Sequence, residues 1–371
     1  LAVRANIGTV GNQNFQLSQI MTLYNFLKMY DGVMGAEIMS IANPELKWQT
    51  TLNRNIGLEF SLLQGLVNLD FNYYSNITKN NLTDIAILPS TGFSTYKANM
   101  GKVRNQGYEF SLSITPIKKN GWIVNAFVNG AHNKNKLLNI SDALRDYNEV
   151  IKENQTAHLN YAGYTQLERI FLFEEGQSLN SIFAVRSMGI DPGTGQEIFV
   201  TADGVQTFQW NAADQVVVGN TEPTLKGYFG LNVDYKRWSF GANFQYSFGA
   251  DRYNKTLYEK IEGGNFAQNA DRRALTQRWT KPGDVAKYRG YGNTSQLKPT
   301  SRFVQKDDFL SMTSARLSYT LNANDLQALG ISLLKFTLST NDLFYVSTIK
   351  QERGLSYPFA RTFYFSLQAN F

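Results

Sequence analysis

Apolar and polar residues alternate along much of this chain with a period of two. In the stretch WSFGANFQYSFGAD, Trp238, Phe240, Ala242, Phe244, Tyr246 and Phe248 fall on one face of an extended strand. Ser239, Gly241, Asn243, Gln245, Ser247 and Gly249 fall on the other, because successive side chains of a strand point to opposite sides. The same split runs through LVNLDFNYY, GYEFSLSI, LKGYFGLNVDY and the closing RTFYFSLQANF. It predicts strands over 1–10, 47–61, 65–77, 103–116, 121–134, 225–235, 238–249, 309–320, 331–344 and 361–371.

The links between these strands alternate in length. Short ones fall at Leu62–Gln64, Ile117–Asn120, Lys236–Arg237 and the stretch NANDLQALG; long ones cover 11–46, 78–102, 135–224, 250–308 and 345–360. A half-buried soluble sandwich also alternates apolar with polar. It has no reason to sort its connections by length, and structureless loops beyond about 15 residues are uncommon in compact domains. Tight turns at one end and extended loops at the other are the pattern of a transmembrane antiparallel β-barrel, with periplasmic turns and extracellular loops. The expected fold class is therefore all-β, with lipid against the apolar face and water or a plug against the polar one. In a closed barrel the last strand pairs with the first, which would cover the aromatic end at Phe371. Ten strands with both ends on the periplasmic side would also permit a self-contained barrel.

Composition supports this picture. Aromatics make up 13% of the 371 residues and charged residues only 18%, below the roughly 25% of soluble domains. No run of about 18 apolar residues exists, so a spanning helix is excluded, whereas a spanning strand needs only about 9 to 11. LAVRANIGTVGNQ lacks the apolar core of a secretory signal. Cysteine is absent, which removes disulfides and thiolate metal sites. The net charge of +6 is scattered through the sequence, with no basic stripe to suit nucleic acid.

Catalytic chemistry finds no constellation, so the expectation is a protein that is not an enzyme, with no cofactor and no metal. His132 and His158 lack ligand spacing. GIDPGTGQEIFVTADG has Asp191 and Asp203 but not the dense oxygen ligands of a calcium loop, and reads better as a turn followed by a short hairpin. Binding is the more plausible chemistry. Tyr161, Tyr164 and Trp210, with Phe171 and Phe173, enrich the 135–224 loop in flat apolar faces suited to sugars or peptide side chains. The competing reading is that these rings pack the loop against itself or a lid. Asn125, Asn129, Asn232, Asn243 and Gln245 line the polar face, where they would hydrate a pore or grip a plug.

Several stretches, among them LAVRANIGTVGNQN, NPELKWQTTLNRNIGLEFSL, LPSTGFSTYKANMGKVRNQGYEFSLSI, GNTEPTLKGYFGLNVDYKRWSFGANFQYSFG and LSYTLNANDLQALGISLLKFTLSTNDLF, resemble the C-terminal half of the SusC-like (SusC/RagA) TonB-dependent outer-membrane transporters of Bacteroidota. The resemblance spans nearly the whole chain in order. It implies that residues 1–371 form about the last ten strands of a 22-stranded barrel, with the N-terminal signal, plug domain and first strands outside this sequence. It further implies import of oligosaccharides or peptides under a SusD-like lipoprotein lid, energised by TonB-ExbB-ExbD. Phe363, Phe365, Leu367 and Phe371 look like the C-terminal signal read by the barrel-assembly machinery. The alternative function is a barrel of this family kept as a structural or assembly component of a larger outer-membrane complex.

Overall fold

The computed structural model describes residues 1–371 except 14, 17–18, 87–91, 94, 147, 150–171, 265–270, 292–296, 323–325, 327–329 and 351–359. Its strands, in chain order, are β1 (Ala2–Asn12), β2 (Leu23–Tyr30), β3 (Val33–Ser40), β4 (Gln49–Leu62), β5 (Val67–Lys79), β6 (Leu82–Ala86), β7 (Thr95–Asn99), β8 (Gly101–Lys119) and β9 (Trp122–Ile140). There follow β10 (Ser181–Ile190), β11 (Glu197–Val200), β12 (Gln206–Thr207), β13 (Gln215–Asn220), β14 (Leu225–Tyr235), β15 (Trp238–Phe248) and β16 (Asp251–Tyr253). The last are β17 (Val304–Lys306), β18 (Phe309–Asn322), β19 (Leu333–Asn341), β20 (Tyr345–Ser347) and β21 (Phe363–Asn370).

Ten of these form one antiparallel wall in the order β1-β4-β5-β8-β9-β14-β15-β18-β19-β21, with β20 added to β18. They are the ten strands expected from alternation. Consecutive wall strands are neighbours throughout, so every connection is local. The wall is open: β1 pairs only with β4 and β21 only with β19. Among the described residues β21 does not pair with β1, so these ten strands do not close on themselves as a self-contained barrel. Both edges keep a row of unpaired backbone groups among the described residues.

Register places the apolar side chains of all ten strands on one surface. Across four strands the rows read Phe60–Leu69–Leu112–Val128, Leu58–Phe71–Phe110–Gly130 and Ile56–Tyr73–Tyr108–His132. Further round, Phe229 stacks on Phe244 with centroids 4.8 Å apart. Large apolar groups stay exposed on this surface, Phe240 by 40% and Phe365 by 69%, which only a lipid solvent tolerates over so wide an area.

The tight turns cluster at one end and use left-handed backbone where the geometry demands it. Asn120 and Gly121 both have positive φ, 54° and 79°, the requirement of a two-residue hairpin turn whose twist matches the strands. Beside that turn Trp122 stacks on Tyr235 at 4.1 Å, and Trp238 meets Tyr319 at 4.7 Å, forming an aromatic belt at the periplasmic boundary.

At the opposite end β8 and β9 run beyond the expected limits, to Gly101 and Ile140. The extension leaves the apolar band: one face carries Lys102, Arg104, Lys134 and Lys136 in place of aromatics, and the other buries Val103 and Leu137. The long links carry more regular structure than alternation over long stretches reveals. One holds the hairpin β2-β3, a second β6-β7, and a third the four-stranded sheet β12-β11-β10-β13. SIFAVRSMGI forms β10, with Ser181 to Val185 buried.

Candidate functional site

On the polar side of the wall, asparagines recur at matching heights on successive strands. Asn6 faces Asn55, and Asn76 faces Asn105, because the register pairs these residues directly. Together with Tyr74 and Asn133 they line a groove of about 610 Å³, bordered by Glu109, Glu222 and Lys226. The Tyr74 hydroxyl donates to Asn133 Oδ1 at 3.0 Å, and Asn133 donates to Glu222. Asn135 donates to Asn105 at 2.7 Å. Amides carry both donors and acceptors, so such a surface bonds hydroxyl-rich or peptide-like groups without demanding one charge.

The lumenal residues expected from alternation stand where alternation puts them. Asn125 donates to Ser113 and Thr115 at 3.1 and 3.2 Å, and Asn243 donates to Ser314 at 2.9 Å. Asn129 accepts from the Tyr228 amide at 3.0 Å. Asn232 sits opposite Asn125, and Gln245 pairs with Ser311. Asn6, Asn55, Asn76, Asn105 and Asn133 were missed as a group. Their signal was legible as repeated asparagine on polar-face positions, but only pairing register puts them side by side.

The aromatic candidates of the large loop fare differently. Tyr161, Tyr164 and Phe171 lie outside the described residues. Trp210 donates its indole N–H to the Pro299 carbonyl at 3.2 Å, and Lys298 lies over its ring at 5.0 Å. It therefore joins the third long loop to the fourth. Phe173 packs on a small core of Ala98, Met100, Val103, Leu137, Ile140 and Leu144. The two rings that are described, Trp210 and Phe173, thus both contact other parts of this chain.

Asp191 has a structural duty: it accepts from the Gly193 and Thr194 amides and from the Thr194 hydroxyl at 2.6 Å. The Thr194 hydroxyl above all holds its carboxyl below the usual range. Its turn closes the β10-β11 hairpin, with Ile190 opposite Glu197, as the turn-and-hairpin expectation required. His132 is likewise engaged, its Nδ1 2.6 Å from the Thr224 carbonyl, so Nδ1 carries the proton.

Above the wall the loops build an ordered cap. Glu197 of β11 and Glu262 of a π-helical segment (Thr256–Glu262) both receive Arg302, with distances of 2.9 Å to Glu197 and 2.8 Å to Glu262 through Nη2. Arg289 adds a bond to Glu262 at 2.9 Å. Arg278 donates to the carbonyls of Ala274, Arg289, Ile261 and Glu262, at 2.8 Å for the first. Burial opposes the Arg302 charge, but its bonds to Glu262 and Glu197 outweigh this and raise its pKa.

A lipid-faced wall, a polar inner face, tight periplasmic turns and long extracellular loops define a transmembrane β-barrel of the outer-membrane kind. The chain belongs to the family described as TonB dependent receptor-like, beta-barrel, which it matches over residues 1–255. That family resides in the outer membrane of Gram-negative bacteria and consists of transporters. TonB-dependent receptor P39 of Formosa agariphila is 27% identical over 93% of this chain and 36% of its own length. TonB-dependent receptor SusC of Bacteroides thetaiotaomicron is 24% identical over 73% of this chain and 27% of its own. The solved structure of the RagAB peptide transporter matches with a TM-score of 0.77, at 23% identity, over 94% of this chain and 37% of that one. These similarities bear out the SusC-like resemblance read from the sequence. The chain spans about a third of the length of the curated relatives it matches most fully.

Proposed function

We propose that this chain supplies part of the barrel of a SusC-like TonB-dependent transporter that imports oligosaccharides or peptides through the outer membrane. The observation that carries the reading is the asparagine-lined groove on the inner face, closed along one side by Glu222 and Lys226. A passive structural wall has no need of matched amides at one height on successive strands; a conduit for polar oligomers does. The remaining wall, to a total of 22 strands, and the plug and TonB-contacting segment belong to other stretches of the protein in this reading. A SusD-like lipoprotein closes the extracellular mouth, and the cap built around Glu197, Glu262 and Arg302 is the surface it meets. Bacteroidota is the expected source.

The test is purification of the full-length protein from outer membranes at native expression, with mass spectrometry of everything that accompanies it. A single SusD-like lipoprotein, together with uptake that stops when TonB is removed, supports the importer. Several non-nutrient envelope proteins and no TonB requirement would establish the scaffold in its place.

A further inference from the structure

The charge that looks scattered in the sequence is gathered by register. On the outward surface, the row immediately extracellular to Ile56–Tyr73–Tyr108–His132 reads Arg54–Ser75–Gln106–Lys134. The next reads Leu52–Ile77–Arg104–Lys136. Four cations thus stand within two rows on the lipid side, directly above the aromatic edge of the apolar band. No Asp or Glu occupies an outward position in either row or in the band beneath. At the level of the band, acids point the other way: Glu59, Asp70 and Glu109 share the inner face with the asparagines. Among the described residues no carboxylate pairs with Arg54, Arg104, Lys134 or Lys136, whereas Arg4 on the inner face pairs with Glu59 at 2.7 Å. The Nε of Arg104 is enclosed without a hydrogen-bond partner.

Tight turns mark the periplasmic end, so these rows lie at the headgroup level of the outer leaflet. Unpaired cations there have one abundant counter-charge, the phosphate of a lipid headgroup. Arg suits it through its planar fork and Lys as a point charge. The Tyr108 and His132 rings, 5.1 Å apart, form the shelf on which the sugar or acyl root of such a lipid would rest. We propose that Arg54, Arg104, Lys134 and Lys136 form a docking site for a phosphate-bearing outer-leaflet glycolipid of the lipid A type. The proposal depends on the chain's orientation in the membrane and not on what the transporter imports.

The experiment uses the full-length protein in neutral detergent, titrated with bisphosphorylated lipid A and, separately, with the same lipid after removal of its phosphates, bound lipid being counted by native mass spectrometry. The wild type is expected to retain the phosphorylated lipid at least about tenfold better, since each Lys or Arg near an anionic headgroup contributes about a fivefold effect. R54Q/R104Q/K134Q/K136Q should remove that preference, and R54K/R104K/K134R/K136R should keep it. Equal retention of both lipids by the wild type overturns the proposal without recourse to any variant. So does crosslinking of position 134 to a second barrel in native membranes, which would make the patch a protein interface.

Discussion

Arg302 and Glu197 stand 105 residues apart in sequence and are joined by two hydrogen bonds, Nη2 to Oε2 at 2.9 Å and Nε to Oε1 at 3.1 Å. Glu197 lies on β11 in the third long loop and Arg302 at the end of the fourth, so this contact ties two separate excursions of the chain into one cap. The side chains are nearly sealed, with 12% of Arg302 and 3% of Glu197 exposed.

Removing the cation leaves Glu197 and Glu262 as buried charges, with Arg289 still bonded to Glu262 and Thr300 to Glu197. R302M should cost the cap about 3 to 5 kcal/mol, the usual penalty for breaking a buried ion pair by taking one partner. Loops 172–224 and 250–308 should become sensitive to protease while the barrel keeps its heat-modifiable mobility on gels. A variant whose cap resists protease as the wild type does would show the network to be dispensable.

The two faces of β15 predict opposite responses to the same substitution. Phe244 points to lipid and stacks on Phe229, while its neighbour Asn243 points inward and donates to Ser314. F244R places a charge in mid-bilayer and should lower stability by about 2 to 4 kcal/mol. N243R should fold and insert normally, because an arginine there meets the aqueous lumen. Urea unfolding in lipid vesicles gives both numbers, and comparable losses at the two positions would contradict the assignment of faces.

Asp271 caps the short α-helix Arg272–Thr276, accepting from the Arg273 amide at 2.8 Å and from its guanidinium at 2.7 and 3.0 Å. The Arg273 side chain first, and its amide second, hold the Asp271 carboxyl at about 2. A depressed carboxylate stabilises the fold fully above its unfolded value near 4 and loses that contribution as the pH falls through about 2. The amide resonance of Arg273, which donates to the carboxylate, should titrate with that low midpoint, and D271A, which removes an N-cap worth about 1 kcal/mol, should abolish the transition. A midpoint near 4 in the wild type would mean that the cap is not formed.

The wall was legible in the sequence because each strand carries its own evidence. Leu225–Tyr235 emerges with the expected limits, since alternation begins after Pro223 and stops at the Lys236 turn. The cap was not legible, because its strands are short and its logic lies in partners far along the chain. Nothing near Glu197 announces Arg302, and nothing near Trp210 announces Pro299. The asparagine groove and the outward cations fall between these cases: each residue sits on a predictable face, but grouping them needs the register. Of the two, the cation patch most changes the reading of composition, because four of the 36 Lys and Arg residues that look diffuse fall together once β4, β8 and β9 are aligned.

The last strand joins sequence pattern to biogenesis. In β21, Phe363, Phe365 and Leu367 lie opposite Thr340, Leu338 and Phe336 of β19, and all three face lipid. Phe371 follows at the periplasmic edge, 91% exposed. Its ring makes so little contact with the wall that truncating it should leave the stability of the assembled barrel within about 0.5 kcal/mol, as for other exposed positions. If the ring is instead read by assembly machinery, F371A should reduce the amount of folded protein reaching the outer membrane several-fold while the barrels that do form unfold as the wild type does. F365A should lower both quantities, because Phe365 also packs near Phe336 with ring centroids 6.4 Å apart. S366A and Q368A, on the inner face of the same strand, should change neither. Pulse labelling followed by heat-modifiability gels separates assembly from stability, and normal assembly of F371A would remove Phe371 from any recognition signal.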